Sequence, residues 1–420
     1  MNLLEMAFGN EFNKTGEMKK LSVKGKLNNM YDVYAIPLEY LYYNDQNGRI
    51  NTTYKKYKAA HGSLIPEPGN SEYNKIFEEF IYDSNRQALE KTLLSIKDNQ
   101  QQEPGVVLPD GRVIDGNRRL TALRKYQEED GIKKDFNAII LSLDTNSKKD
   151  EKIIKELELE LDLQLGREER VSYDPIDRIF DVYNTIEIEK LMTAEEYKKA
   201  SGAGNTKGIN RDIRLANLIL KFINIVSPGG DAIDKFYLAR DLKLDGPIEE
   251  IEGTINKLKN TDKEAITEAV LVHLAVSKVG EESKDTTRVM RDLKTNVLNN
   301  PEILDYYLDA VDEKVDVIME AFEESPIKSS NDIKIVIDKD EELQKVVGKL
   351  KKSTFNLVRK GKNDTKRKKA LVELENTRDQ LEDLTAKDFA ELTVDENIYA
   401  KDVLIEITDI IFKLKKELKL

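Results

Sequence analysis

The sequence lacks cysteine altogether and contains only two histidines among its 420 residues. Without cysteine, the chain forms neither disulfide bonds nor thiolate metal sites. The two histidines, His61 and His273, lie far apart in the sequence. A site in which several histidines of one chain hold a metal ion is therefore excluded, and Ser-His-Asp catalysis has few candidate residues. We expect His61 in a loop and His273 in the interior of an apolar helix.

Long apolar runs are also missing. No segment approaches the roughly 20 consecutive apolar residues of a transmembrane helix. The N-terminal segment lacks the basic start and the apolar core of a secretory signal. We therefore expect a cytoplasmic protein without membrane contact. Hydrophobic residues make up 39% and charged residues 35% of the chain, which is typical of a soluble, helix-rich protein of two or three domains.

The net charge of −12 argues against indiscriminate binding to nucleic acids. Positive charge is nevertheless concentrated in two places. Within 201–225, four basic residues accompany one acidic residue, and within 351–370, nine accompany one. A basic block is usually solvated or part of an interaction segment. Nonspecific contact with DNA is the second interpretation of the block at 351–370.

The segment 106–125 combines strand, turn and helix signals in one short stretch. Val106 to Leu108 is an apolar run, and Pro109 to Gly111 are turn residues. Val113 and Ile114 then return as a second strand, so the pattern predicts a β-hairpin. Gly116 and Asn117 break this strand, and the leucines that follow at three-residue spacing predict a helix with one buried face.

The predicted helix begins with two arginines, Arg118 and Arg119. The first turn of a helix has unpaired N–H groups and a partial positive charge, so cations are disfavoured there. Two guanidinium groups at this place indicate an anion between them, and phosphate fits because arginine donates paired hydrogen bonds to its oxygens. The alternative is that both arginines are solvated or pair with nearby carboxylates.

The residues DGNRRLTALRK, 115–125, resemble the signature of the ParB/sulfiredoxin-like superfamily, in which a GxRR-type segment holds nucleotide phosphates. The similarity extends over about residues 31–218. Its flanking parts are an opening strand at 34–41, a polar loop at 44–49, a third motif at 166–169 and a helix start at 174–177.

The resemblance implies an α/β N-terminal nucleotide-binding domain followed by predominantly α-helical domains, in a multi-domain α+β chain. It also implies a nucleoside triphosphate, CTP or ATP with Mg²⁺, as the cofactor. The residues that would hold the nucleotide are Arg49, Asp115, Gly116, Asn117, Arg118, Arg119, Thr121 and Arg167.

The third motif departs from the family pattern, which has an acidic residue and an asparagine before its Gln-Arg pair. With Arg167 as the matching arginine, the aligned residues are Leu163 and Gln164. Leucine cannot bind Mg²⁺, which takes oxygen ligands. Asp162 takes that place after a shift of one residue, so Asp162 and Gln164 are the candidate metal ligands. Sulfiredoxin chemistry requires a cysteine and is excluded.

A helix-turn-helix is predicted after the α/β part. Thr193 to Glu196 is a capping box that begins one helix, a glycine-containing turn follows at 201–204, and a second helix runs from about 207 to 226. In ParB-like proteins a helix-turn-helix follows the nucleotide domain, which favours binding of double-stranded DNA. The alternative is a helical hairpin with a solvated basic face. The candidate DNA-binding residues are Thr206, Lys207, Asn210, Arg211 and Arg214.

An amphipathic helix is predicted at 403–418, where apolar residues recur at helical spacing. It either packs on its own domain or forms a homodimer. The predicted segments are a mobile arm over 1–30, the nucleotide-binding domain over 31–150, the helix-turn-helix domain over 151–226, a helical domain over 227–330 and a partly basic helical domain over 331–420.

Three functions are compatible with these patterns. The first is a ParB-like protein whose bound nucleotide regulates DNA engagement in partition, transcription or a phage-related role, which would place it on the nucleoid. The second is an NTPase or nuclease of a phage-defence or restriction system, because DGNRR also resembles a DGQQR motif of restriction-type proteins. The third is a scaffold without ligand. The sequence identifies no catalytic residue, and a further partner protein is left open.

Overall fold

The computed structural model describes residues 1–23, 27–45, 50–143, 147–168, 174–259, 262–382, 384–390 and 392–419. These residues form a mixed α+β structure, in which a six-stranded sheet is followed by helices. The chain divides into two compact units, Met1–Phe355 and Asn356–Leu420. Within the described ranges, no helix has both the length and the apolar character to cross a membrane.

The sheet lies near the N-terminus and has the order β1-β2-β6-β4-β5-β3. Its strands are β1 (Asn13–Val23), β2 (Leu27–Pro37), β3 (Tyr42–Tyr43), β4 (Gly105–Val107), β5 (Arg112–Asp115) and β6 (Asp135–Ile140). β4 pairs in parallel with β6, and β3 with β5, whereas the other neighbours are antiparallel. The hairpin that the sequence predicts around 106–114 is confirmed as β4 and β5.

Helices cover both faces of this sheet. They are α1 (Leu3–Phe8), α2 (Asn51–His61), α3 (Ser71–Ser84), α4 (Arg86–Asn99), α5 (Asn117–Asp130) and α6 (Lys148–Glu168). Successive strand residues point to opposite faces, so Val107 packs in the core with α1 to α5 while Val106 packs in the core with α6. On the α6 side, Ile154 and Leu157 are buried. The domain boundary that the sequence predicts at residue 150 therefore falls within α6, although this helix packs on the sheet.

The mobile arm predicted over 1–30 is wrong for its described residues. α1 is anchored because the backbone N–H of Leu3 donates to the carbonyl of Pro109 at 2.7 Å, and Leu3 is fully buried. β1 forms one edge of the sheet and pairs with β2. α2 fills the first part of the segment 51–75, and His61, which we expect in a loop, is the last residue of that helix.

The remaining helices follow the sheet. They are α7 (Pro175–Tyr183), α8 (Ala194–Ser201), α9 (Lys207–Val226), α10 (Tyr237–Asp241), α11 (Asp245–Lys257), α12 (Lys263–Ser277), α13 (Thr286–Leu293), α14 (Pro301–Glu324), α15 (Asp332–Asp338), α16 (Glu341–Glu382) and α17 (Val394–Glu417). The predicted helix starts are confirmed: Asp174 caps α7, and Thr193 forms a capping box with Glu196 before α8. His273 lies buried in α12, as expected, and burial lowers its pKa to about 4.

α9 is the centre of the helical part of the first unit and packs against α7, α11, α12 and α14. Its buried face includes Leu215, Ile219 and Phe222. In the second unit, α17 has no buried residue, and apolar side chains such as Ile405 and Phe412 are exposed. The homodimer through this C-terminal helix stays a prediction.

Candidate functional site

A cleft of about 690 Å³ opens at the start of α5 in the first unit. The turn between β5 and α5 forms one part of its wall, and residues of α2, α4, α6 and α7 form the rest. Five of the predicted nucleotide-binding residues line it together: Asp115, Gly116, Asn117, Arg118 and Arg119. This volume falls within the range of small-molecule binding sites.

Gly116 shapes the entry into α5. Its φ of +98° lies in the left-handed region, which favours glycine. A Cβ at this position would lie 2.8 Å from Cζ of Phe136 and 3.1 Å from Nη2 of Arg119. Gly116 is also the N-cap and has no side chain to accept from the first turn of α5. The N–H groups of this turn therefore have no capping side chain at the cleft wall, which suits an anion.

The two arginines have different surroundings. Arg119 donates to a carboxylate oxygen of Asp115 at 3.1 Å and to the carbonyl of Glu103 at 2.6 Å. For Arg119, the alternative interpretation of pairing with a nearby carboxylate is therefore the one that holds. Arg118 lines the cleft and is partly exposed. Arg119 thus fixes the turn, and Arg118 is the other arginine of the cleft wall.

The prediction that Thr121 contacts the nucleotide is corrected by the structure. Thr121 is fully buried, and its hydroxyl donates to the carbonyl of Asn117 at 3.0 Å and lies 3.0 Å from the hydroxyl of Tyr43. It does not line the cleft. A threonine at the fifth position of a helix can hydrogen-bond to the carbonyl one turn earlier, so Thr121 stabilises α5 from the inside.

Four other predicted residues cannot be placed by their side chains. Arg49 lies outside the described residues. Asp162, Gln164 and Arg167 belong to α6, of which only the backbone is described at these positions. In the part of the chain that the structure describes, no group of three or more histidine, aspartate or glutamate side chains is placed to hold a metal ion.

The cleft contains three lysines that sequence reasoning missed, Lys55, Lys91 and Lys155. Lys55 pairs with Asp234 at 2.7 Å, and Lys155 lies 3.3 Å from Glu189. Lys91 is exposed on α4. These lysines come from α2, α4 and α6, so their approach to Arg118 depends on the tertiary fold. Lys55 and Lys155 are paired with acidic side chains, and Lys91 adds an exposed positive charge to the cleft.

Glu158 of α6 is a buried acidic residue of the cleft wall, with 9% of its surface exposed. Burial raises its pKa to about 7, although Arg112 and a hydrogen bond from Asn44 act in the opposite direction. Glu158 was also missed. Its signal is present in the sequence, because it occupies a position of the apolar stripe that includes Ile154 and Leu157.

The candidate DNA-binding residues of α9 divide into two groups. Lys207 and Asn210 are exposed, and Thr206 is partly exposed. Arg214 instead hydrogen-bonds to Glu252 of α11, and Arg211 lies 3.7 Å from Glu249 of the same helix.

The prediction that the side chain of Arg214 is available to contact DNA is therefore corrected. The positive charge counted along α9 is reduced by acidic side chains of α11. Those side chains are distant in sequence and do not enter a count along one segment. The first turn of α9 is left as the more accessible part.

α7 connects the cleft with α9. Phe180 and Asp181 line the cleft, and Arg178 of the same helix lies 3.2 Å from the carboxylate of Asp212 on α9. The other side of α7 is held by α2, because Thr52 donates to the carboxylate of Asp177. Burial raises the pKa of Asp177 to about 6. A change in the cleft wall can thus reach α9 through one short helix.

Comparison with models of known protein families finds no match for this chain, and comparison with curated protein sequences finds none either.

Proposed function

We propose that this chain binds a nucleoside triphosphate in the cleft and that nucleotide binding regulates contact between α9 and double-stranded DNA. The observation that carries the proposal is the cleft at the start of α5. There an uncapped first turn and Arg118 lie together with three lysines around a volume of about 690 Å³. Membership of the ParB/sulfiredoxin-like superfamily is part of the same proposal.

The phosphate end of the nucleotide would lie against the first turn of α5. Backbone N–H groups at a helix start bind phosphate oxygens, and a guanidinium group adds paired charged hydrogen bonds. Lys91 is exposed at the cleft and brings a further mobile charge. The cleft wall also contains acidic side chains, so the phosphate end is assigned to the start of α5, where Arg118 lies, and not to the cleft as a whole.

The nucleoside end has an apolar surface available. Ile81, Ile96, Leu159 and Phe180 line the cleft beside its charged residues. Binding sites for small molecules combine such apolar walls with a few placed polar groups. A planar base has the apolar faces to cover this surface, whereas an inorganic anion does not.

The coupling to DNA rests on α7. Because Phe180 lines the cleft and Arg178 pairs with Asp212 of α9, a ligand that contacts Phe180 changes the support of α9. A ligand shifts such an equilibrium only if it binds the two arrangements with different affinity. Lys207 and Asn210 at the exposed start of α9 would contact phosphates and base edges.

Titration of the purified chain with ATP, CTP, GTP and UTP tests the nucleotide site. We expect saturable binding of at least one of them by calorimetry, and a higher melting temperature in its presence, because a ligand that binds only the folded state stabilises it. Mg²⁺ is present in one series and replaced by a chelator in the other. Absence of binding to all four nucleotides in both series would contradict the proposal.

Lys207→Ala tests the DNA surface. We expect weaker binding to duplex DNA and a salt dependence whose slope falls by about one unit, as for one lost phosphate contact. Lys221→Ala, on the same helix but paired with Glu264, is the matched control. Fluorescence anisotropy at several salt concentrations, with and without nucleotide, gives both values. An equal effect of the two substitutions on DNA binding would exclude the start of α9 as the contact.

A further inference from the structure

Three oxygen atoms in the cleft wall have no hydrogen-bond partner among the described residues. They are Oδ1 of Asp115, Oδ1 of Asn117 and Oε1 of Glu158. The three residues are 6%, 8% and 9% exposed, so water reaches them poorly. All three line the cleft. Buried polar atoms in folded proteins nearly always have a partner, so three exceptions at one site need an explanation.

These oxygens are acceptors that the fold holds in place. The other carboxylate oxygen of Asp115 accepts from Arg119, and Asn44 donates to the carboxylate of Glu158. The positions of Asp115 and Glu158 are thus fixed by these hydrogen bonds, while the second carboxylate oxygen of each residue has no hydrogen-bond partner among the described residues. Leaving a buried acceptor without a donor costs free energy in the unliganded protein. A ligand that brings donors recovers this cost on binding.

A deprotonated phosphate group cannot fill this role toward an ionised carboxylate or an amide oxygen, because its oxygens are acceptors themselves. The partner of these oxygens has to carry O–H or N–H groups. The nucleoside part of a nucleotide has both, as ribose hydroxyls and as the amino group of some bases. The wall of the cleft therefore has two chemical parts: the cationic start of α5 with Arg118, and the acceptor oxygens.

We propose that Asp115, Asn117 and Glu158 form an acceptor subsite that binds the hydroxyl or amino groups of the nucleoside and so distinguishes a nucleotide from an inorganic polyphosphate. This inference rests on the proposed nucleotide site. It assigns the specificity of that site to residues other than the arginines. Glu158 belongs to α6 and the other two residues lie at the start of α5, so the subsite requires both elements in place.

The test compares ATP with inorganic tripolyphosphate, which has the charges of the phosphate chain and no nucleoside. Both are titrated into the full chain and into Glu158→Gln by calorimetry. We expect Glu158→Gln to weaken ATP binding by about tenfold, because the amide oxygen takes the hydrogen bond from Asn44 and the amide N–H₂ group then replaces the acceptor that faces the ligand. Tripolyphosphate affinity stays the same or rises. Glu156→Gln, which is on the same helix and pairs with Lys152 outside the cleft, is the matched control with unchanged binding.

Two further nucleotides identify the donor. Inosine triphosphate lacks the amino group of ATP, and dideoxy-ATP lacks the ribose hydroxyls. The analogue that lacks the donor group is expected to bind the unchanged chain more weakly than ATP does. Glu158→Gln should not weaken the binding of that analogue further. Asn117→Ala repeats the comparison if Glu158→Gln does not fold, as judged by thermal unfolding.

The outcomes separate the two proposals. If neither ATP nor tripolyphosphate binds the unchanged chain, the nucleotide site itself is wrong. If both bind and Glu158→Gln changes neither, or both equally, the acceptor subsite is wrong and the nucleotide site stands. If a chelator removes the difference between Glu158→Gln and the unchanged chain, the oxygens bind a divalent cation, and the assignment to nucleoside donors is overturned.

Discussion

Arg118→Ala is expected to lower the affinity for the bound nucleoside triphosphate by about 10- to 100-fold while the chain stays folded. Arg118 lies at the first turn of α5 and lines the cleft. Its guanidinium group is the cation best placed to donate to phosphate oxygens together with the N–H groups of that turn. Isothermal titration calorimetry measures the loss, and circular dichroism shows whether the helix content is retained.

Two matched variants sharpen this result. Arg118→Lys keeps the charge but loses the paired donors, so its affinity should fall between those of the unchanged chain and Arg118→Ala. Arg86→Ala removes an arginine of α4 that pairs with Asp83 away from the cleft, and it should leave binding unchanged. Equal binding by Arg118→Ala and Arg86→Ala would rule out Arg118 as a phosphate ligand.

Arg119→Met is expected to reduce the free energy of unfolding by about 3–5 kcal/mol, the usual cost of breaking a buried ion pair from one side. The side chain of Asp115 is only 5% exposed and that of Arg119 18% exposed, so Arg119→Met leaves a buried carboxyl group without its ionic partner. The carbonyl of Glu103 would lose its donor as well. Denaturation in urea, followed by circular dichroism, measures the change.

The double variant Asp115→Asn/Arg119→Met gives the control for this prediction. Without the carboxylate, no unpaired buried charge remains, so the double variant should recover much of the lost stability. Arg86→Met breaks an exposed pair and should have no measurable effect. A double variant as unstable as Arg119→Met would mean that packing of the long side chain, and not the charge of Asp115, is what matters.

The parts of this fold that sequence predicts well are those encoded within a few residues. The turn at Pro109 to Gly111, the start of α5 after Gly116 and the caps Asp174 and Thr193 all have local signals, and the structure has each of them. A cap or a tight turn depends on its own neighbours in the chain, so its residue types are informative without tertiary contacts.

The parts that sequence did not predict depend on contacts between distant segments. The sequence alone predicts that Arg214 is an exposed basic residue of α9, whereas in the structure it hydrogen-bonds to Glu252 of α11. The lysines of the cleft come from separate helices, and no spacing rule relates them to Arg118. Glu158 was the exception, since a glutamate in an apolar stripe is a visible anomaly.

The first residues of the chain show a different limit. α1 is short and β1 is polar, so periodicity along either is weak. Their order comes from partners elsewhere: Leu3 is held by the carbonyl of Pro109, and β1 pairs with β2. An edge strand of this kind has one side in water and resembles a polar arm in composition.

The position of α6 on the sheet bears on how this chain can be recombined with others. A fusion junction at 150 would leave Val106, Ile139 and Leu141 as an apolar face without its helix. Such an uncovered face favours aggregation of the transplanted piece. A junction beyond α6 still cuts the hydrogen bond between Thr52 and Asp177. The sheet and its covering helices are thus not a unit that can be exchanged alone, and chimeras should carry them together with α7 and the helices around it.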